Sequence, residues 1–513
     1  MDGMRYCFEH EFSSIYIFNL RGNQRTQGET SRREGGKIFG SGSRTPVAIT
    51  ILIKNPKRQN KKAEIYYHDI GDYLSREEKL KIITNFKSCM NNKFPVKVLK
   101  PNGKNDWINQ RNTTFENYII IGNKKNKDLK QKFFCNSYSN GLLTSRDVWC
   151  YNTNKTVLSN NIQKTIKFYN NEVDRYHKEK EKISNINDFI NKDDKFFSWD
   201  AIQKDKDLLN GNKYNYDFNS VYISMYRPFY KQYCYFNKNL NSRVYQLPQL
   251  FPTRQSNNLL ICVSTKDTST LIFNNIVDFH MIGDTQCFPL YYYEKDDNIM
   301  ISLYNDEQER YIRRNGITDF IFNQAKELYG NKVTKEDIFF YVYGFLHLPK
   351  YRQEFSADLK KSLPRLFLVD EPKVFWQISK AGRDLADIHL NYENQKAPEG
   401  VIIEGDCDNY TVSKMKFPKK EQKDTIIYNN DITIKNIPLE VYNYIVNGRS
   451  PVEWIMERYQ VKIDKASGIE NNPNDWATEH NQPRYILNLL LSVMTVSLKT
   501  QEIVNSLPDV KFE

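Results

Sequence analysis

Two short apolar runs bracketing a basic, glycine-rich stretch constrain this chain most. Residues 13–19 read SSIYIFN and residues 46–54 read PVAITILIK. Each is β-branched, unbroken and bounded by turn residues, the pattern of a strand buried on both faces. The stretch between them, NLRGNQRTQGETSRREGGKIFGSGSR, is too polar to join a core. Residues 19–62 carry eleven Lys/Arg against two acids, Glu29 and Glu34. A mobile basic loop on a rigid sheet suits a polyanion, because glycine admits backbone N–H groups to phosphates and arginine makes forked contacts. The candidate contacts are Arg21, Asn23, Arg25, Arg32, Arg33, Lys37, Ser41, Ser43 and Arg44. The loop is not a P-loop: Gly35 and Gly40 have the spacing, but Ser41 and Gly42 stand where Lys and Ser/Thr are required. The competing expectation is a solvated hairpin loop that binds nothing.

With 513 residues there is room for two or three domains. The net charge of +12 favours nucleic acid or an anionic surface over a neutral metabolite. The eight cysteines include no Cys-x-x-Cys pair, which reads as scattered reduced thiols near the core and argues against zinc. No apolar signal run opens the sequence, and the most apolar helical stretch, 486–498, is too short to span a bilayer. A cytoplasmic location is expected.

Further along, helices are expected over 73–88 and 157–181, and residues 221–294 read as short strands and turns. In that region Arg227, Lys231, Arg243, Gln246 and Arg254 interleave with Tyr226, Phe229, Tyr230, Tyr245 and Phe251. Basic and amide side chains fit base edges and phosphates while aromatics hold them in place. Arg227, in its aromatic setting, reads equally as a structural ion-pair residue. His280, His347 and His389 sit in apolar patterns and read as buried structural histidines. The last third reads as mainly helical from about residue 331: a buried helix started by Thr334-Lys-Glu-Asp337 and running to about His347, a second to 363, others over 379–390 and 438–446, a capping box at Ser450 and Glu453, and a final helix from Pro483. A hairpin is expected over 425–434. The domain boundary is expected near 160, dividing 1–160 from 161–513.

The segment RGNQRTQGETSRREGGKIFGSGSRTPVAITILIKNP resembles part of the type ISP restriction-modification enzymes. The likeness continues in Ser139-Asn140-Gly141-Leu142 with Arg146-Asp147, in Tyr226-Arg227-Pro228-Phe229, in Arg243-Val244-Tyr245-Gln246 and in Gln286-Cys287-Phe288-Pro289. It resumes at DIFFYVYGFLHLPKYR from Asp337 and at NGRSPVEWIMERYQVKIDKASGI from Asn447. The resemblance implies a mixed α/β fold: the end of a Rossmann-like N6-adenine methyltransferase sheet, then an α+β target-recognition domain with helical C-terminal layers. It implies sequence-specific double-stranded DNA as partner. For a complete enzyme it also implies S-adenosylmethionine, and ATP with magnesium for a motor. Neither a Phe-x-Gly-x-Gly-type cofactor loop nor Asn-Pro-Pro-Tyr occurs in this sequence. No cofactor is therefore expected for this chain alone, and no residue in it is expected to be catalytic. Two alternatives remain: a methyltransferase completed in trans by a separate polypeptide, and a nonenzymatic RNA- or protein-binding module.

Overall fold

The run at 13–19 forms strand β1 (Ser14–Arg21), which pairs antiparallel with β2 (Val47–Ile53) and parallel with β3 (Glu64–Asp69). With β4 (Lys97–Leu99) the order is β2-β1-β3-β4. The computed structural model describes residues 2–26, 28–40, 42–57, 62–88, 95–123, 132–201, 203–296, 311–405 and 408–512. Ile15 of β1 and Ile65 of β3 are fully buried. The expectation of burial on both faces fails for β2, where Ile49, Ile51 and Ile53 are 41%, 41% and 40% exposed. Among the described residues β2 stands at the edge of the sheet, pairing with β1 alone, and its outer side chains lack the cover that the central strand β1 receives. The helix Arg76–Phe86, started by a Ser75/Glu78 capping box, covers part of this sheet with Ile82, Ile83 and Phe86.

These elements belong to a unit built from three stretches, Met1–Asn117, Gln353–Ser362 and Asn447–Arg449. Buried Asp106 is one of its ties. It accepts hydrogen bonds from Arg111 Nε at 2.7 Å and Arg5 Nη2 at 3.0 Å, and Lys361 Nζ lies 3.3 Å away. Asp358 accepts the backbone N–H of Asn112 at 3.0 Å. Burial alone would raise the Asp106 pKa, but Arg111 and Lys361 outweigh it and hold the carboxyl well below its ordinary range.

The second unit comprises Tyr118–Arg352, Leu363–Val446 and Ser450–Glu513. It starts at Tyr118, earlier than the 160 read from composition, because residues 119–152 supply strands to its sheets. These are β5 (Ile119–Ile120), β6 (Ser139–Asn140) and β7 (Tyr151–Asn152). One sheet runs β12-β8-β9-β7, with β8 (Val221–Arg227), β9 (Tyr230–Tyr235) and β12 (Ile276–Val277). Another runs β11-β10-β13-β6, with β10 (Leu260–Val263), β11 (Thr270–Phe273) and β13 (Gln286–Pro289). Every residue of β10 and β11 is buried. Leu260, Cys262, Leu271 and Phe273 from one face of these strands join a core with Met225, Cys234, Ile455 and Leu490. The fold is thus mixed α/β with several small sheets.

The helical layer follows the sequence where the signals are local. Lys335–Phe345 starts at a Thr334/Asp337 capping box and is buried nearly throughout, as its all-round apolarity requires. It crosses Pro372–Leu390 at Gly344 and Gly382, where a Cβ would stand 2.3 Å from the Ile378 carbonyl oxygen and 1.9 Å from that of Phe340. The Ser450/Glu453 capping box is present, and the last helix runs Tyr485–Asn505. The hairpin is present too, pairing Ile426–Ile427 with Ile432–Lys435, which a third strand, Ile402–Gly405, flanks. Two expected helices are shorter: 438–446 holds a single turn, Leu439–Tyr442, and the segment after Pro349 breaks into Pro349–Glu354 and Ser356–Leu359. His347 and His389 are buried, with His389 Nδ1 2.5 Å from the Tyr343 hydroxyl, but His280 is half exposed. Of the described cysteines, Cys7 is exposed and the other five are buried.

Asp106 gives its unit an acid-sensitive tie. A depressed carboxyl stabilises the fold above its unfolded pKa, and this contribution is lost as pH falls from about 4 toward the folded value. Asp106→Asn should therefore lower the melting temperature clearly at pH 7 and much less at pH 2.5, read by circular dichroism. In hydrogen exchange, amides of β2 should be far less protected than those of Lys335–Phe345, because β2 has an open edge and exposed side chains. Equal protection would mean that something covers β2.

Candidate nucleic-acid interface

The segment between β1 and β2 is more ordered than the mobile loop its composition suggests. Gly28–Glu34 is helical, and Lys79, fully buried on the neighbouring helix, donates to the carbonyls of Glu34 at 2.7 Å and Gly36 at 2.8 Å. Three glycines serve chain-on-chain contact rather than phosphate approach. A Cβ on Gly28 would stand 1.6 Å from the Gly448 carbonyl oxygen, one on Gly35 2.2 Å from that of Leu74, and one on Gly36 2.5 Å from the Arg76 nitrogen. Gly40 and Gly42 face open space, beside a Phe39 that is 58% exposed.

This order sorts the candidate contacts. Arg21 is committed: Nε donates to Asp69 at 2.6 Å and Nη1 pairs with Asp72. Burial alone would lower its pKa, but these two carboxylates raise it, so its charge is neutralised inside the fold. Arg32 Nε donates to Glu29 at 2.8 Å, and the Asn23 side chain accepts the Arg25 N–H at 3.1 Å. Ser43 shares a hydrogen bond with Thr45 at 2.8 Å, and Lys37 is half-buried. Arg25, Arg33 and Arg44 are exposed. Ser41 lies outside the described residues.

In the second unit, Arg227 is a correction to its reading as a DNA contact. Its guanidinium is buried, donates to Asp278 Oδ1 at 2.6 Å, lies 3.6 Å from Asp147 and stacks 3.9 Å from the Tyr226 ring centroid. Burial alone would lower its pKa, but Asp278, Tyr226 and Asp147 together raise it, so Arg227 stays a cation. Burial likewise pushes the Tyr226 and Tyr151 phenols up, so both remain donors, Tyr226 to Asp147 at 3.0 Å and Tyr151 to Asp278 at 3.1 Å. Lys231 is likewise withdrawn from solvent, with Nζ 2.5 Å from Glu393.

What this ion pair supports is a cluster of loops. Leu143 and Arg243 form an antiparallel bridge. The Gly141 N–H donates to the Thr285 carbonyl at 3.0 Å, the Phe279 N–H to the Leu142 carbonyl at 2.8 Å, and the Gln246 N–H to Ser139 Oγ at 3.0 Å. Ser264 Oγ donates to the Gly283 carbonyl at 3.3 Å. Blocks far apart in sequence, 139–147, 242–246 and 264–285, thus meet on one surface. Arg243 and Gln246 are exposed there, and the Tyr245 ring stacks on Phe279. His280 and Lys266, the latter 2.5 Å from Asp284, extend the same surface. Neither carries a local signal in the sequence, since only the closure of 264–269 against 283–285 places them. Arg254 is exposed on a groove that Val244 and Lys238 also line, and its guanidinium donates to the Asn219 carbonyl at 3.1 Å. Among the described residues no group of three or more His, Cys, Asp or Glu is placed to hold a metal. No helix among them is long and apolar enough to cross a membrane.

Residues 133–489 match the family described as the Type ISP C-terminal specificity domain. The chain belongs to this family. Two solved type ISP structures superpose on nearly all of it. A nuclease-deletion mutant of the restriction-modification enzyme LlaGI, in complex with a DNA substrate mimic, is 41% identical over 99% of this chain, with a TM-score of 0.83. The ATP-dependent enzyme LlaBIII bound to DNA is 36% identical over 100% of it, with a TM-score of 0.84. A DrdV–DNA complex solved by cryo-electron microscopy is 25% identical over 99%, with a TM-score of 0.79. This specificity chain spans 38%, 32% and 49% of those three proteins. A comparison with curated proteins finds no match.

If Arg227 serves the fold of this type ISP chain rather than a ligand, Arg227→Ala should cost about 3–5 kcal/mol, because Asp278, which burial already pushes up to about 7, loses the cation that favours its charged form. Arg243→Ala, at the exposed end of the same region, should stay within about 0.5 kcal/mol. Urea unfolding of the two variants separates the roles, and equal effects would contradict the assignment.

Proposed function

We propose that this chain is the sequence-reading part of a type ISP restriction-modification enzyme and binds double-stranded DNA. The loop surface around Arg243, Tyr245 and Gln246 carries the reading. A forked guanidinium and an amide suit guanine and adenine edges in the major groove, and both sit on a loop pinned by the Leu143–Arg243 bridge and by the Gln246 N–H to Ser139 Oγ. The likeness over nearly the whole chain to enzymes described in complex with DNA supports the same conclusion. Arg25, Arg33 and Arg44 on the first unit suit phosphate contacts, which position a duplex without reading it.

The four-stranded sheet of the first unit is assigned to the end of a Rossmann-like methyltransferase sheet. In that assignment the complete enzyme methylates adenine at N6 with S-adenosylmethionine, uses ATP and magnesium for its motor, and acts in the cytoplasm in defence against phage. This sequence lacks the glycine-rich cofactor loop and the Asn-Pro-Pro-Tyr motif, so no step of that chemistry is assigned to its residues. A second reading, completion by a separate polypeptide, is favoured by β2, whose open edge and exposed Ile49, Ile51 and Ile53 suit a further strand and a covering layer.

The test is competition binding at several salt concentrations, with a site selected from random duplexes and a scrambled control. Arg243→Ala and Gln246→Ala should each cost about 1–3 kcal/mol on the selected site and much less on the control. Neutralising Arg25 and Arg44 together should weaken both duplexes alike and lower the salt slope by about 0.9 for each phosphate no longer neutralised. Loss of discrimination in the Arg25/Arg44 variant, with only general weakening from Arg243→Ala and Gln246→Ala, would reverse the two roles.

A further inference from the structure

Three phenylalanines stand out as exposed among the described residues: Phe39 at 58%, Phe218 at 52% and Phe196 at 45%. Lys155 and Arg254 lie over the Phe218 ring, and Phe168 stacks on Phe196. No described ring or cation covers Phe39. Its place is nevertheless fixed from beneath. The chain leaves at Gly35 and returns at Arg44, and Gln24 holds both ends. The Gln24 side-chain amide donates to the Gly35 carbonyl at 2.7 Å, and its backbone N–H donates to the Arg44 carbonyl at 3.0 Å. Just before the ring, Lys79 Nζ donates to the Gly36 carbonyl and Arg76 Nε to the Ile38 carbonyl, each at 2.8 Å. Ile38 packs against Phe18, Leu20 and Ile70. Phe39 thus follows an anchored residue and precedes Gly40, which borders open space. A ring so held does not fold back onto the apolar cluster, and its exposure goes uncompensated in the free protein.

The charges on the same segment indicate what covers the ring. Arg25, Lys37 and Arg44 pair with no carboxylate among the described residues. Of the two acids here, Glu29 pairs with Arg32 at 2.8 Å and Arg33 at 3.8 Å, and Glu34 accepts the Asn23 N–H at 3.0 Å. Arg76 stands 4.0 Å from Glu77. Three unpaired cations against Glu34 leave the segment positive. An apolar protein surface would cover the ring and leave those cations unmatched. Duplex DNA satisfies both, because phosphates take the cations while an apolar side chain enters between stacked bases. We propose that Phe39 is a wedge that enters the base stack of a bound duplex and opens one step. This rests on the reading of the chain as a duplex binder, and adds a deformation of the DNA that neither Arg243 nor Gln246 produces. Opening costs least where pairing is already weak, so a mismatch at that step should be preferred.

The test uses the full chain with Phe39→Ala, which removes the ring, and Phe39→Trp, which keeps one. Both alter an exposed side chain and should leave the melting temperature nearly unchanged. The duplex selected in competition binding carries 2-aminopurine at each position in turn, and a second series carries a single mismatch at each position. With saturating wild type, fluorescence should rise about threefold at one step, and a mismatch there should tighten binding about tenfold. Phe39→Ala should lose both effects, and Phe39→Trp should keep them. If the wild type binds the duplex with no such step, or the step opens equally in Phe39→Ala, the wedge is overturned and the DNA-recognition reading stands. If the wild type binds no duplex, both are overturned. Unchanged DNA behaviour in Phe39→Ala, with loss of a dimer in sedimentation, would give the ring to a protein surface and overturn the wedge.

Discussion

The contact between Arg227 and Asp278 organises the second unit. Arg227 ends β8, Asp278 follows β12, Tyr151 comes from β7 and Asp147 from the helix before it, and all four converge within hydrogen-bond or ion-pair distance. A buried guanidinium is tolerated only where carboxylates and carbonyls surround it, and here the Tyr226 carbonyl also accepts at 2.6 Å. Gly141 is drawn close against the same place, since a Cβ there would stand 2.5 Å from the Asp278 carbonyl oxygen. Movement of any one segment would leave charge unpaired, so the loops that present Arg243 and Gln246 are fixed from beneath.

That foundation separates two kinds of basic residue that look alike in a sequence. Arg227, Lys231 and Arg21 spend their charge on internal carboxylates, whereas Arg243, Arg254, Arg25 and Arg44 keep theirs at the surface. Internal pairing of the first group confers geometry, and exposure of the second leaves charge for a partner. The count of 74 Lys and Arg therefore overstates the cations available to a polyanion, whereas the net charge of +12 already subtracts the paired carboxylates.

Local signals were legible and long-range ones were not. The boxes at Thr334/Asp337 and Ser450/Glu453 close within four residues, and both helix starts lie where the sequence puts them. The partners of Arg227, Lys231 and Arg21 lie 51, 162 and 48 residues away, beyond any local pattern. Lys79, set among charged neighbours, reads as solvated, yet it is buried because distant carbonyls receive its protons. The β2 run reads as a core strand because composition records apolarity without recording which strand lies at an edge. Of the candidate site, the region from 221 to 294 was visible as strands with interleaved basic and aromatic residues. Its working surface depended on which side chains the ion pair left outside.

The first unit is not finished until residues 447–449 arrive, with Gly448 receiving the Glu29 N–H at 3.0 Å against a glycine that admits no side chain. On the ribosome, most of the polypeptide must therefore emerge before the helix Gly28–Glu34 has all its native neighbours. Recombination between relatives meets the same condition. An exchange of reading domains cut cleanly at Tyr118 would carry away the two short segments that complete the unit left behind, so specificity can be traded by grafting loops more readily than by joining halves.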